Sequence, residues 1–202
     1  MQETILLTGF GPFGEHTHNP SQDAVQAMDG RSCEGFRFKA LTLPVQLERA
    51  TEALEEALAG APVAAVIACG IYGDASGPVR LELAARNRLH YSVPDVDGKL
   101  CRDEVIEAGA PELLYGTLPL AGIKQRLERE GVACTLSEDA GSYLCNAVFY
   151  WLARRGLPEG TPVGFVHLPH GAEAQPDNLK ALHAAAEETA RRLAAQRVEA
   201  TA

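Results

Sequence analysis

Seven residues, Val63-Ala64-Ala65-Val66-Ile67-Ala68-Cys69, constrain the fold of this 202-residue chain more than any others. The run is apolar at every position and is bracketed by Pro62 and Gly70. It is short for a helix and does not alternate, so it suits a strand buried on both faces, as in a parallel sheet covered by helices. Ile5-Leu6-Leu7-Thr8 and the run Val163 to Leu168 read the same way. Parallel strands need crossovers of about a dozen residues or more, and the chain supplies them. Asn19-Pro20-Ser21 starts a helix, with Asn as cap and Pro in the first turn. Gln46 to Leu58 puts Leu47, Ala50, Leu54, Ala57 and Leu58 on one helical face. Further helices are expected over Leu120 to Glu130, Tyr143 to Arg155 and Asn178 to Arg197. Phe36 to Leu43 alternates and stops at Pro44, giving a strand; Leu81 to Asn87 and Ala133 to Leu136 add two more. Residues 70–77 and 93–111 read as loops. Strand–helix alternation of this kind implies an α/β protein with a mainly parallel sheet covered on both faces.

A chain of this length buries roughly 70% of its unfolded surface without a disulfide or metal staple. Residues 1–202 show no repeat or linker and read as one domain, with only about the last four or five residues free to fray. Acidic residues outnumber basic ones 27 to 18, for a net charge of −9. That argues against nucleic acid or an anionic membrane as partner, since phosphate binding needs clustered positive charge. No apolar run approaches the ~20 residues of a membrane span, and the N-terminus shows no signal pattern. The five cysteines (Cys33, Cys69, Cys101, Cys134, Cys145) are scattered, with no CxxC pair. A zinc site or disulfide framework is therefore not expected, and a reducing cytoplasm fits.

Gly9-Phe10-Gly11-Pro12-Phe13-Gly14 fits the dinucleotide pattern GxGxxG, but the fit misleads. The glycines of that motif lead straight into a helix that holds the pyrophosphate. Here Glu15-His16-Thr17-His18 intervenes and the helix start waits until Asn19-Pro20. The segment reads instead as a loop at the carboxyl end of the first strand, where parallel sheets place their sites. Phe10 and Phe13 then form an apolar wall. The His16/His18 pair reads as a solvated loop rather than a metal site.

Asp139 to Asn146 precedes the apolar run Ala147 to Leu152, which puts Cys145 in the first turn of a helix. Unpaired N–H groups and the helix dipole there favour a thiolate and donate to an oxyanion. The alternative for Cys145 is a small buried hydrophobe. Cys69 and Cys134 fall in strand runs and read as core; Cys33 and Cys101 fall in polar loops. A thiolate needs a base, and His167 lies at the end of the strand Val163 to Leu168, either as a satisfied core residue or presented into a site. His170 is close enough to compete; His90 and His183 are not so placed. Glu82, between Leu81 and Leu83, is an odd carboxylate for a strand. It either pairs with an imidazolium or faces water on an edge strand.

Together these segments resemble the pyrrolidone carboxyl peptidases (pyroglutamyl peptidase I family) from about residue 4 to about residue 190. The family pattern TGFxPFxxxxxNPS stands here as Thr8-Gly9-Phe10-Gly11-Pro12-Phe13 and Asn19-Pro20-Ser21. The nucleophile motif matches at Ser137, Ala140-Gly141, Tyr143, Cys145-Asn146 and Tyr150, and the histidine motif GFxHxP at Gly164-Phe165, His167 and Pro169. The glutamate segment keeps Glu82, Ala85 and Asn87 but has Leu83 for Arg. Val93-Pro94-Asp95 and Gly98 stand for Ile-Pro-Asp-x-x-Gly.

The resemblance implies a three-layer α/β/α sandwich and a cofactor-free cysteine exopeptidase that removes N-terminal pyroglutamate from peptides; the alternatives are a homologue of shifted specificity or low activity, or a non-catalytic protein that binds a small amide. The resemblance makes Cys145 the nucleophile, His167 the base and Glu82 the orienter. It puts Phe10, Phe13, Asn19, Tyr72, Val93, Tyr143 and Leu144 around the substrate, with Asn19 or backbone amides reading the lactam edge. It further implies a homo-oligomer, a dimer or tetramer. Two departures flank the pocket. The loop from Gly70 to Gly77 is one residue longer than usual before the glutamate and has Asp74 but no arginine. At the family's Asp-Ala-Arg stands His90-Tyr91-Ser92, and serine supplies neither a guanidinium's charge nor its fork.

Overall fold

A computed structural model describes residues 2–14, 17–60, 62–155, 157–158 and 160–201. Its centre is a seven-stranded sheet in the order β2-β3-β1-β4-β9-β5-β8. The strands are β1 (Thr4–Phe10), β2 (Ser32–Cys33), β3 (Phe36–Leu43), β4 (Val63–Ile71), β5 (Val79–Glu82), β8 (Cys134–Ser137) and β9 (Val163–Leu168). Four neighbouring pairs are parallel (β3/β1, β1/β4, β4/β9, β5/β8); β2/β3 and β9/β5 are antiparallel. A separate ribbon pairs β6 (Ala84–Arg86) with β7 (Leu113–Tyr115).

Alternate residues of each central strand feed two different cores, because successive side chains leave opposite faces of a sheet. Ile5 and Leu7 of β1, Ala65, Ile67 and Cys69 of β4, and Val166 and Leu168 of β9 join one cluster. Helices α1 (Pro20–Gln26), α3 (Leu120–Arg129) and α5 (Gln175–Thr201) cover it. Leu6 and Phe10, Val66 and Ala68, and Val163 and Phe165 join the other, under α2 (Leu47–Gly60) and α4 (Leu144–Arg154). This is the expected three-layer arrangement. Each fully buried Leu, Ile or Phe contributes about 1.5–3 kcal/mol, so the doubly covered central strands anchor the fold.

Two expectations need correction, and two short strands were not expected. The strand expected over Leu81 to Asn87 is two strands in two sheets. The chain changes partner at Leu83, whose N–H donates to Ser137 (2.7 Å) and whose carbonyl accepts from Gly116 (2.9 Å). A change of hydrogen-bonding partner leaves no mark on side-chain periodicity. The last helix starts at Gln175 and runs to Thr201, so the residues expected to fray are helical through Thr201; Ala202 lies outside the described residues. β2 and β7, of two and three residues, are too short to show a pattern.

Candidate active site

The register of β5 against β9 sets the first two groups in place. Arg80 lies opposite His167, Leu81 opposite Val166, and Glu82 opposite Phe165. Residues 80 and 82 therefore share the sheet face of 165 and 167, and Glu82 is the diagonal neighbour of His167. β8 pairs along the outer side of β5, so Glu82 is not an exposed edge residue: it is fully buried, and His167 is 5% exposed. His167 Nδ1 stands 2.8 Å from Glu82 Oε1. An ionised carboxylate only accepts, so Nδ1 carries the proton in that bond. Glu82 Oε2 has no partner among the described residues.

The thiol comes from the other layer. Tyr143 is the N-cap of α4, in an extended conformation and with no side-chain cap bond, which makes Cys145 the second helical residue. The first-turn amides thus remain available, and the helix dipole favours negative charge there. Gly141, at φ +78°, makes the turn into the cap, with its N–H on Asp139 Oδ1 at 3.0 Å. The next residue, Asn146, is fully buried and fixes the helix laterally. Its Oδ1 accepts from Arg86 N (2.8 Å), and its Nδ2 donates to the carbonyls of Arg86 (2.9 Å) and Arg88 (3.0 Å).

Cys145 Sγ lies against Gly70, the register partner of His167 on β4, which brings the thiol to the imidazole. Burial acts against the imidazolium, but the Cys145 and Glu82 partners outweigh it and hold the His167 pKa above its ordinary value. β4 passes so close beneath that a Cβ at Gly70 would stand 2.6 Å from Cys145 Sγ and 3.1 Å from Phe165 Cζ. Only glycine leaves room for the sulfur.

The candidate wall residues divide into two groups. Phe10 is buried beside Gly70, with its Cδ2 3.4 Å from the same position. Leu144 is buried in the same core, and the Tyr72 ring meets His167 edge-on with centroids 6.2 Å apart. Phe13 and Val93 instead line a groove between residues 12–14 and 93–96. Tyr143 joins the two, its hydroxyl donating to the Pro94 carbonyl at 3.2 Å. Asn19, expected to read the lactam, is engaged within the protein. Its Oδ1 accepts from Ser21 N (3.0 Å) and Oγ (2.8 Å), and its Nδ2 donates to Gly11 O (3.1 Å). It caps α1 and braces the loop.

The competing residues go elsewhere. His170 is exposed, His90 faces Asp103 at 3.3 Å, His183 faces Glu187 at 3.1 Å, and His18 lies 4.0 Å from Asp23. His16 falls outside the described residues. Cys101, expected in a polar loop, is fully buried. Burial is the main cause pushing up the thiol pKa of Cys33, Cys69, Cys101 and Cys134. Sequence reasoning missed Gly70 and Asn146 as site-building residues. A signal for the second was present, a lone amide opening an otherwise apolar helical run.

Comparison with known proteins places this geometry. A family model described as pyroglutamyl peptidase matches residues 3–196. The pyrrolidone-carboxylate peptidase of Chromobacterium violaceum is 36% identical over 167 residues, covering 83% of this chain and 78% of the relative. That of Pyrococcus furiosus is 33% identical over 177 residues, covering 87% and 85%. The crystal structure of pyroglutamyl peptidase I from Bacillus amyloliquefaciens superposes with a TM-score of 0.87 at 28% identity, covering 94% of this chain and 96% of that one. The pyrrolidone carboxyl peptidase structure from Pyrococcus furiosus gives 0.88 at 28% identity, covering 94% and 99%.

Proposed function

Because the chain belongs to the pyroglutamyl peptidase family, we propose that Cys145, His167 and Glu82 are the working groups of a cysteine exopeptidase that removes N-terminal pyroglutamate from peptides. The observation that carries this reading is the buried Glu82–His167 pair with the thiol of Cys145 against Gly70, the register partner of His167, in the uncapped first turn of α4. The Cys145 thiolate attacks the acyl carbon of the pyroglutamyl residue, and amides of the first turn of α4 stabilise the oxyanion. The His167 imidazolium protonates the leaving amine; as the neutral base it then activates water to hydrolyse the thioester. Glu82 keeps the imidazole in one tautomer and opposes its charge.

Pyroglutamate has no charged amine, so its ring suits the apolar surfaces of Phe10, Phe13, Tyr72, Val93 and Leu144, with backbone amides reading the lactam. Tyr143 fixes the groove wall, and Asn19 the loop beneath it. We further infer a cytoplasmic protein, supported by five unpaired cysteines, and a homo-oligomer, dimer or tetramer. The second inference is supported by Val93, Val96, Leu100 and Val105, which are 45–60% exposed on one loop region. No described helix is long and apolar enough to cross a membrane.

The test is hydrolysis of a fluorogenic pyroglutamyl amide, with a prolyl amide as control. Wild type is expected to cleave the first alone, Cys145→Ser to cleave neither, and iodoacetamide to label Cys145 ahead of the other four thiols. Retained turnover in Cys145→Ser sinks the assignment.

A further inference from the structure

Directly across the sheet from the catalytic imidazole stands a cation the proposed mechanism does not use. Arg80 is the register partner of His167 and lies two residues before Glu82 on the same strand face. Residues i and i+2 of a strand are about 6.6 Å apart, within the reach of an extended arginine. Glu82 Oε2 is buried and has no partner among the described residues, so one carboxylate oxygen beside Arg80 remains able to accept from a guanidinium N–H.

Arg80 does not donate to it. Its guanidinium lies over the Tyr72 ring, 3.9 Å from the centroid. Tyr72 is itself fixed, its hydroxyl donating to the Pro78 carbonyl at 2.7 Å and its N–H to Leu168 at 3.3 Å. The loop that carries it is pinned by His170 N to Asp74 O (3.1 Å) and Gly171 N to Ala75 O (2.8 Å). Gly77 closes it, since a Cβ there would meet the Tyr72 hydroxyl at 2.4 Å. This is the loop that is lengthened and lacks the family's arginine.

We propose that Tyr72 is a positioning residue that sequesters the Arg80 guanidinium by stacking, leaving the Glu82 carboxylate to His167 alone. The inference rests on the catalytic reading above. The charged and titratable groups around the imidazole are Glu82 and Arg80 from β5, Cys145 from α4, and Tyr72 backed by Asp74 from the β4–β5 loop. Released from Tyr72, Arg80 pairs with Glu82. It then cancels the charge opposing the imidazolium and adds a repelling one. Both effects act in the same direction and lower the His167 pKa.

The experiment follows the His167 titration by NMR of histidine-labelled protein, assigned with His167→Asn, beside the pH profile of kcat/KM for the pyroglutamyl amide. In Tyr72→Ala the His167 pKa and the alkaline limb are expected to fall together by about 0.5–1 unit, within the range a neighbouring charge produces, and kcat to fall with them. Tyr72→Phe keeps the ring and is expected to hold the wild-type position. Tyr72→Ala/Arg80→Met, which has no guanidinium to release, is expected to return the titration to that position. An unmoved titration in Tyr72→Ala, or a shift that persists in the double variant, overturns the proposal. Absence of turnover in wild type would defeat the catalytic reading, while the NMR titration would still decide this one.

Discussion

The proposed catalytic centre and its rim are built on different physical terms. The centre hangs on strand register, a helix start and near-complete burial: Glu82, His167 and Asn146 are at most 5% exposed and bonded to fixed partners. The rim, made by residues 72–78 and 88–105, is held by short turns and surface ion pairs. Arg88 and His90 share Asp103, Lys99 meets Glu48 at 2.8 Å, and Arg49 meets Asp97 at 3.2 Å. Exposed pairs of this kind are worth about 0–1 kcal/mol each. A substitution in the centre disturbs groups that cannot relax, whereas the rim absorbs changes at low cost.

The largest effect that contrast implies is at the base. His167→Ala is expected to lower kcat by about 10²–10⁴-fold, the usual worth of general acid–base catalysis. The wild-type pH profile adds a signed check. A pKa held above the ordinary 6.5 keeps the imidazolium through neutrality, so kcat/KM is expected to persist past pH 6.5 and fall only on the alkaline side. A fall centred at or below 6.5 would mean that Cys145 and Glu82 do not support the charge. Near-normal kcat in His167→Ala would move the base to another residue and dissolve the distinction between centre and rim.

Gly70→Ala probes the centre without removing a functional group. The added methyl collides with Cys145 Sγ and the Phe165 ring, so the sulfur must move. A displacement near 1 Å costs about 10²-fold in rate, while overpacking costs about 1–3 kcal/mol in stability. The expected result is a folded protein with slow iodoacetamide labelling and kcat reduced about a hundredfold. A variant with full activity and unchanged labelling would show that the centre is looser than its burial indicates.

How much of this was legible from the residues follows the same division. β3 and β9 begin and end where alternation and apolar continuity place them, because one side chain after another reports its face of the sheet. The meeting of Glu82 with His167 was legible only as an unexplained carboxylate in a strand; the antiparallel turn of β5 against β9 that makes them neighbours depends on partner choice, which periodicity does not encode. Gly70 was legible as a strand end but not as clearance for a sulfur 75 positions away in sequence. Tyr91 reads as part of a polar loop, yet its ring is buried edge-on to Tyr143, with centroids 4.7 Å apart. Such repacking depends on neighbours the local sequence does not name.

Ser92→Arg restores the family's residue at the rim and is expected to have the smallest effect. Ser92 is exposed, next to the half-exposed Val93, and it lies outside the groove formed by residues 12–14 and 93–96. A guanidinium placed there remains in a high dielectric, where even at 4 Å a unit charge contributes only about 1 kcal/mol, and salt screens it further. That bounds the change in kcat to less than about fivefold, and raising ionic strength should erase it. The measurement is kcat and KM for the pyroglutamyl amide at low and high salt, in wild type and Ser92→Arg. A salt-insensitive gain of tenfold or more would require the arginine to turn inward and meet the oxyanion in a dry site. In that case the rim joins the centre during turnover, and the contrast between them holds only for the resting enzyme.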